Sequence, residues 1–467
     1  MNSSDVVVLG AGPAGLAAAW RAARRGFSVT VLERSAQVGG LAGSFDVAGV
    51  RVDFGSHRLH PATPRRVLAD LTELLGDDLQ TRPRRGRVRL HDTWVSYPLR
   101  AGELLRAMPP RMAAGVARDA VTGPLRRAPH DTYEAELRAG LGPTVYDAVH
   151  GPFAEKLWGL PGSQIAGEQA RRRVTGNSPW KVAGRVLRGG RTARGSEQGK
   201  MFHYPRRGFG QITDRLAEAA VKAGAEIRLE AEVDGIAPTY EDVQVHTRGG
   251  DVLHAGIAFS TLPLPVLGRL TSPGPSLQAV EAAAGLRLRA MVLVYLVHAG
   301  GRWSEYDAHY LPVSDTPVTR LSEPANYRDS ADDPSDHSVL CAEIPCSVGD
   351  ATWTASDDDL AATVEDALAR HDLPPVRRAG VVVRRLPAVY PVYDVGYEQR
   401  LRGIDAWVSS VPQIVTFGRL GLFAHDNSHH AMLEAYEAVD ALGLDGRFDL
   451  ARWRVQRARF AEHVVED

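Results

Sequence analysis

The sequence predicts an α/β protein in which a Rossmann-type parallel sheet is interleaved with a helical insert and an antiparallel sheet. Residues 5–9, Asp-Val-Val-Val-Leu, form a β-branched apolar run without alternation, the pattern of a strand buried on both faces. Gly10-Ala-Gly12-Pro13-Ala14-Gly15 follows at once and leads into an alanine-rich segment. After a mainly helical middle part, β-rich segments return beyond residue 200.

The elements follow in order. Leu16 to Arg25 reads as a helix closed by Gly26, and Phe27 to Leu32 as a second strand ending on Glu33. Residues 63–76 predict a helix and 86–99 a strand pair around a His-Asp turn. From 100 to 195 the pattern is mainly helical with Pro and Gly breaks, and Arg188 to Gly199 reads as a mobile loop. A helix over 209–223 precedes strands over 225–237, 242–247 and 252–259. Further strands are predicted over 288–298 and 338–344, a helix over 356–371, and a last helix from near His430 to about Leu442. The chain divides into a first dinucleotide-binding segment (1–90), a helical insert (91–200), a second such segment (201–270), a substrate-side sheet (271–400) and a third segment (401–467).

Composition bounds the function. The 467 residues are 44% hydrophobic and 24% charged, a globular balance. Lys+Arg 55 against Asp+Glu 56 leaves a net charge of -1, which argues against a strongly basic nucleic-acid binder. Only Cys341 and Cys346 are present, so no disulfide framework is expected, and no metal site is advertised. His425, His429 and His430 cluster without a supporting ligand spacing and read as a polar loop. No apolar run approaches the roughly 20 residues of a membrane span, and no basic segment precedes an apolar one at the N-terminus. A cytoplasmic protein is the resulting expectation. Lysine occurs only four times, so arginine carries nearly all positive charge and arginine clusters carry less functional weight. The run Arg82-Pro-Arg84-Arg85-Gly-Arg87 therefore reads as a solvated loop. The stretch 101–127 is weakly amphipathic, but Pro109-Pro110 interrupts it as a membrane-surface helix.

The chemistry begins at the glycines. Gly10 allows the tight turn, Gly12 lets the backbone approach a pyrophosphate, and Gly15 lets helix and strand pack closely. Pro13 and Ala14 open a helix whose N-terminus offers free N–H groups to phosphates. Glu33 suits a ribose diol. Arg34 and a second glycine loop, Val38-Gly39-Gly40-Leu41-Ala42-Gly43, suit a dinucleotide larger than NAD.

This Glu-Arg-x4-Gly-Gly pattern resembles FAD-binding proteins of the amine oxidase and protoporphyrinogen oxidase superfamily. Five further segments, in order, resemble those of UDP-galactopyranose mutases: Asp53-Phe-Gly55-Ser56-His57, Trp94-Val-Ser-Tyr97-Pro98, Pro152-Phe153 with Lys156-Leu-Trp158, Phe202-His-Tyr204-Pro205-Arg-Arg-Gly208, and Gly418-Arg419-Leu-Gly421 through Asn427 and His430. The resemblance spans nearly the whole chain. It implies a flavin domain of the glutathione-reductase type and FAD as cofactor. It also places Ser56, His57, Gly418, Arg419, Asn427 and Ser428 at the flavin, with Val233 as a further cofactor contact. Arg419 and backbone N–H groups of the Gly418–Gly421 turn and the His430 helix would stabilise an anionic ring. On the substrate side it implies Arg173 and Arg320 as diphosphate-binding arginines, Tyr310 and Tyr390 at the phosphates, Tyr97 at the base end, and His425 in place of a phosphate-binding tyrosine. Leu99-Arg100, Ala154 and the loop Ala424–His429 depart from the mutases.

The resemblance implies an enzyme of one of two kinds. The first rearranges a nucleotide-diphosphate sugar without net redox change; flavin N5 is the reacting group, NAD(P)H the reductant, and His57, Arg173 and Arg320 the catalytic side chains. The alternative is an FAD oxidoreductase (oxidase, dehydrogenase or desaturase) that takes hydride from a small molecule and passes electrons to O2 or another acceptor. A non-enzymatic flavin-bound module is the weakest reading, because a large covering domain accompanies the cofactor motifs.

Overall fold

The computed structural model describes residues 3–98, 101–123, 131–174 and 201–465. β1 (Ser3–Leu9), α1 (Pro13–Arg24) and β2 (Val29–Leu32) form the expected βαβ unit. α1 starts earlier than the apolar pattern suggests, because Pro13 takes the first helical turn, where a missing N–H costs nothing. β1 is central: it pairs in parallel with β2 on one side and with the Val252–Ser260 strand on the other. The seven-stranded sheet is completed by Glu226–Arg228 beyond β2, by Val243–Thr247 and Val233–Pro238 beyond Val252–Ser260, and by Ile414–Thr416. Its strands come from three separated stretches of chain, so the domain is interleaved.

The second sheet is mainly antiparallel. Its long strands are β3 (Arg287–Ala299), β4 (His337–Cys346) and β5 (Arg378–Val392), with β3 in the middle. Arg320–Ser322, Ala308–Tyr310, Gly86–Leu90 and Thr93–Tyr97 extend it beyond β4. The last pair straddles the boundary drawn at residue 90 and is part of this second sheet. Helices between Ala101 and α2 (Gly167–Arg173) form the insert. α3 (Ser428–Asp440) packs against α1 and starts before His430, because Asn427 caps it.

Three differences from the sequence reading have physical causes. The hairpin Ser44–Val47 and Val50–Asp53 lies in a region read only for its motifs. β5 carries three arginines and two prolines, which mask its strand pattern. The helix Leu450–Phe460 is arginine-rich and buries only Trp453 and Phe460, so its apolar stripe is thin. Arg188–Gly199 and Leu99-Arg100 lie outside the described residues.

The second sheet packs on a separate two-stranded hairpin through one apolar layer. Phe45, Val50 and Val52 of the hairpin pack against Met291, Leu293 and Tyr295 of β3 and Cys341 of β4. Cys341 faces this layer while Cys346, an odd number of residues along the same strand, faces a different core. The two thiols thus cannot pair with each other. Among the described residues no helix is long and apolar enough to cross a membrane.

Gly15 shows how tightly the βαβ turn is closed. A Cβ there would lie 1.9 Å from the Gly10 carbonyl oxygen. Gly15→Ala is expected to cost about 1–3 kcal/mol or more of stability, read as a lowered Tm in calorimetry.

Candidate functional site

The first glycine loop and the second are pinned together: Gly39 N donates to Ala11 O at 2.8 Å. Gly40 adopts φ +53, and a Cβ there would come within 3.2 Å of Gly12 Cα. Glu33, buried at the end of β2, accepts from Ala11 N at 2.8 Å and Ser35 N at 2.9 Å, which fixes its carboxylate beside the loop. Two features fit an FAD. No side chain caps α1, and its first turn holds no acid, so N-terminal N–H groups are left for a phosphate. A Cβ on Gly12 would meet nothing of the protein within 4 Å, which leaves open space where a pyrophosphate must approach. Ala14 and Gly418 lie against each other (a Gly418 Cβ would be 3.3 Å from Ala14 Cβ), so the C-terminal turn closes on the same cradle. Arg34 is exposed, Leu41 packs on the inter-sheet layer, and Val233 is half-buried beside the other core of the parallel sheet.

The segment Asp53–His57 crosses from the hairpin to the cleft and is held from both sides. Asp53 accepts from Ser44 Oγ at 2.6 Å, Tyr204 Oη at 2.5 Å and Phe209 N at 2.9 Å. Its carbonyl accepts from Tyr295 Oη at 2.5 Å. From the other sheet, Glu343 Oε1 accepts from Ser56 N at 2.7 Å and from Arg320 Nε at 3.0 Å, and Oε2 accepts from Arg320 Nη2 at 2.8 Å. Ser56 Oγ hydrogen-bonds Tyr327 Oη. His57 stacks on Phe209 at 5.1 Å, and its Nδ1 is buried without a partner. Burial and the charges of Arg419 and Arg320 push its imidazolium pKa down to about 3, so the ring is neutral.

The arginines converge on Tyr390. Its ring lies 5.3 Å from the Arg173 guanidinium and 5.2 Å from that of Arg419. Arg173, at the last turn of α2, also faces Trp158 at 5.1 Å and lies 3.5 Å from His425 Nδ1. His425 is 1% exposed. Its Nε2 meets Gln169 Oε1 at 2.9 Å, which sets Nε2 as donor and leaves Nδ1 as acceptor towards Arg173. The sequence reading puts it at the substrate; in the structure it is buried between Arg173 and Gln169. Arg419 donates to the carbonyls of Asp426 (Nε, 3.0 Å) and Val389 (Nη1, 3.4 Å). Gly418 N, expected to face the ring, donates to Glu434 Oε2 at 2.7 Å. Asn427 caps α3 with Ser428 as the first helical residue.

At the other end, Tyr97 and Tyr310 pack at 4.9 Å. Tyr310 Oη accepts from Arg58 Nη1 at 3.0 Å, and Arg320 lies 5.8 Å from the Tyr310 ring. Lys156 Nζ donates to the carbonyls of Leu311 (2.8 Å) and Val313 (2.9 Å), fastening the segment after Tyr310; burial pushes this amine down to about 7. The fold therefore brings His57, Arg173, Arg320, Arg419, Tyr310 and Tyr390 into one cluster, with Arg320 already in a bidentate pair. Sequence reading missed Arg58, Tyr327 and Glu343. Arg58 directly follows His57 but was hidden by the arginine bias. Glu343 had a readable signal, a single carboxylate inside the apolar run of β4.

Two outcomes are expected. Glu343→Gln unpairs a buried guanidinium and loosens Ser56, at a cost of about 3–5 kcal/mol, measured by denaturant titration. The second concerns pH. His57 and His429 have folded pKa values of about 3 and His430 about 4, against 6.5 unfolded. Depressed histidine values mean that the unfolded chain takes up protons which the folded chain refuses. Stability is then fully present above about pH 6.5 and falls as pH drops towards 4 and 3. Tm should decline across that window, with a shallower slope in His429→Gln.

The family described as flavin containing amine oxidoreductase matches residues 13–387. A crystal structure of reduced UDP-galactopyranose mutase superposes with a TM-score of 0.83 at 20% identity, covering 99% of this chain and 100% of that one. A chain from Exiguobacterium sp. 255-15 assigned as a protoporphyrinogen oxidase gives 0.71 at 20% identity, covering 94% and 98%. Wild-type putrescine oxidase bound to putrescine gives 0.64 at 18% identity, covering 94% and 98%. AofH of Mycobacterium tuberculosis, assigned as a flavin-containing monoamine oxidase, is 50% identical over 70 residues, which is 15% of this chain and 15% of that protein's length. The structural likenesses bear on the fold, and the family match covers most of the chain. With a glycine cradle that fits the cofactor, the chain belongs to the flavin containing amine oxidoreductase family and is an FAD-dependent enzyme.

Proposed function

We propose that the enzyme acts on a nucleotide-diphosphate sugar and rearranges it without net redox change. The observation that carries this reading is the charge of the cleft: Arg173, Arg320 and Arg419 lie around His57 and Tyr390. A protonated amine substrate would enter against these cations, whereas a diphosphate would be drawn to them. Among the described residues no carboxylate lies within ion-pairing distance of Arg173, so its fork is available to an anion. Arg320 keeps its charge but is oriented by Glu343, which suits a group that positions one phosphate oxygen.

Reduced FAD, when bound, supplies a nucleophilic nitrogen. The protein orients and balances charge. Tyr310 and Tyr97 offer an aromatic wall at the base end. The Tyr390 ring, between the Arg173 and Arg419 guanidiniums, holds both near one another. Neutral His57 can donate from one ring nitrogen and accept at the other, so it holds a proton without adding charge. With the cofactor bound, Arg419 would supply positive charge to balance an anionic reduced flavin.

The test is binding of a nucleoside diphosphate to the yellow protein, oxidised and dithionite-reduced, followed by flavin fluorescence. Tighter binding on reduction is expected, weakened by about 2 kcal/mol, ~30-fold in Kd, in Arg173→Ala. Absence of binding in both redox states, with substrate-dependent flavin bleaching by an amine or apolar compound, would sink this reading in favour of the oxidoreductase.

A further inference from the structure

The basic run at residues 82–87 is divided by the fold. Arg87 is stacked on Trp94 (4.6 Å) and Tyr306 (4.4 Å), and Arg84 lies 5.2 Å from the Tyr97 ring. Those two guanidiniums are engaged with aromatic faces. Arg82 and Arg85 instead line a cavity of about 240 Å3, where Arg302 and Arg328 join them from loops that follow strands of the second sheet.

The charge in this cavity is unbalanced. Arg328 is paired with Asp333 (Nε to Oδ2, 3.1 Å), and Asp307 with Arg58 (2.8 Å). Among the described lining residues, that leaves Glu305 as the one carboxylate facing Arg82, Arg85 and Arg302. Arg302 Nη1 donates to the neutral amide oxygen of Asn326 at 3.1 Å. Arg82 Nε and Arg328 Nη1 are buried with no partner, and Arg328 is only 2% exposed. Buried donors left unpaired cost free energy, so a native site that keeps two beside a polar cavity is short of an acceptor.

We infer that this cavity binds a small phosphate-bearing anion, at a site separate from the substrate cleft. Several guanidinium forks converging from two elements suit the multiple acceptor oxygens of a phosphate. The volume is several times the roughly 30 Å3 share of a water molecule, enough for phosphate or diphosphate. Asp307 forms the shared wall: Oδ2 accepts from Arg85 N at 2.8 Å, and Oδ1 pairs with Arg58, whose other nitrogen reaches Tyr310. An anion here therefore sits one layer behind the substrate residues, with its own set of arginines.

The experiment is isothermal titration of inorganic diphosphate into the FAD-loaded full chain carrying Arg173→Ala, which weakens the substrate cleft for a diphosphate. That chain is expected to bind it, and the added R82Q/R302Q change to weaken binding by about tenfold or more. Adding E305Q instead, which removes the opposing exposed carboxylate, should tighten it by a few-fold, roughly what one rim charge is worth. Absence of binding in the Arg173→Ala chain overturns the proposal, as does binding that survives the added R82Q/R302Q. Should R82Q/R302Q lose its flavin absorbance or its fold, E305Q decides: an affinity it does not alter also overturns the proposal. Failure here leaves the nucleotide-binding test of the substrate cleft untouched, because that test compares the wild type with Arg173→Ala and this one reads R82Q/R302Q.

Discussion

The short segment Asp53–His57 is the joint on which both halves of the molecule depend. Asp53 gathers Ser44, Tyr204 and the N–H of Phe209 from the flavin side, while its carbonyl takes Tyr295 from the antiparallel sheet. Three residues later, Ser56 is held by Glu343 of that second sheet. A chain that must satisfy all these bonds at once has little freedom to slide one sheet over the other. Gly55, at φ +91 with a Cβ position 3.3 Å from Glu343 Oε1, is where the crossing demands glycine. The position of His57 is therefore a consequence of buried hydrogen bonding on both sides of it, not of its own contacts.

The same economy governs the charges. Among the described residues, the contacts of these guanidiniums include backbone carbonyls, aromatic faces and the Glu343 carboxylate. Arg419 rests on the Asp426 and Val389 carbonyls, Arg173 on two rings and a neutral histidine. Neutral His57 and His425 are required by this arrangement, since a further cation would be repelled from a partly desolvated site. Burial keeps these imidazoles uncharged, and their hydrogen-bonding capacity is then available for positioning.

Much of this was legible in the sequence, and the parts that were not share a cause. The glycine spacing, Glu33 and the Asp53–His57 motif are local in sequence and act locally, so pattern reading reaches them. Arg58, Glu343 and the Arg82–Arg302 cavity depend on contacts between residues more than two hundred positions apart, which no window can see. The arginine-rich composition then worked against the reader: it lowered the weight of every cationic cluster, including the run whose members the fold sends to opposite fates. The covering of His425 by a tryptophan and a tyrosine from other segments is a long-range outcome of the same kind, which motif position does not reveal.

The fold alone does not choose between rearrangement and oxidation, because mutase and oxidase structures share it at about a fifth identity. Electrostatics is more discriminating than topology here. An amine that arrives as its cation, or an apolar polyene, gains nothing from three convergent guanidiniums and must displace their hydration. A diphosphate replaces that hydration with charge-assisted bonds to forks already oriented by Glu343, Gln169-backed His425 and the Tyr390 ring. Pre-orientation matters most for Arg320, whose long side chain would otherwise lose rotamer entropy on binding; its pairing with Glu343 has ordered it in advance. The bidentate ion pair thus weakens the arginine's pull on an anion and sharpens its placement. That trade suits the rearrangement proposed above, in which a diphosphate leaving group is released within the site and kept in line to be recaptured.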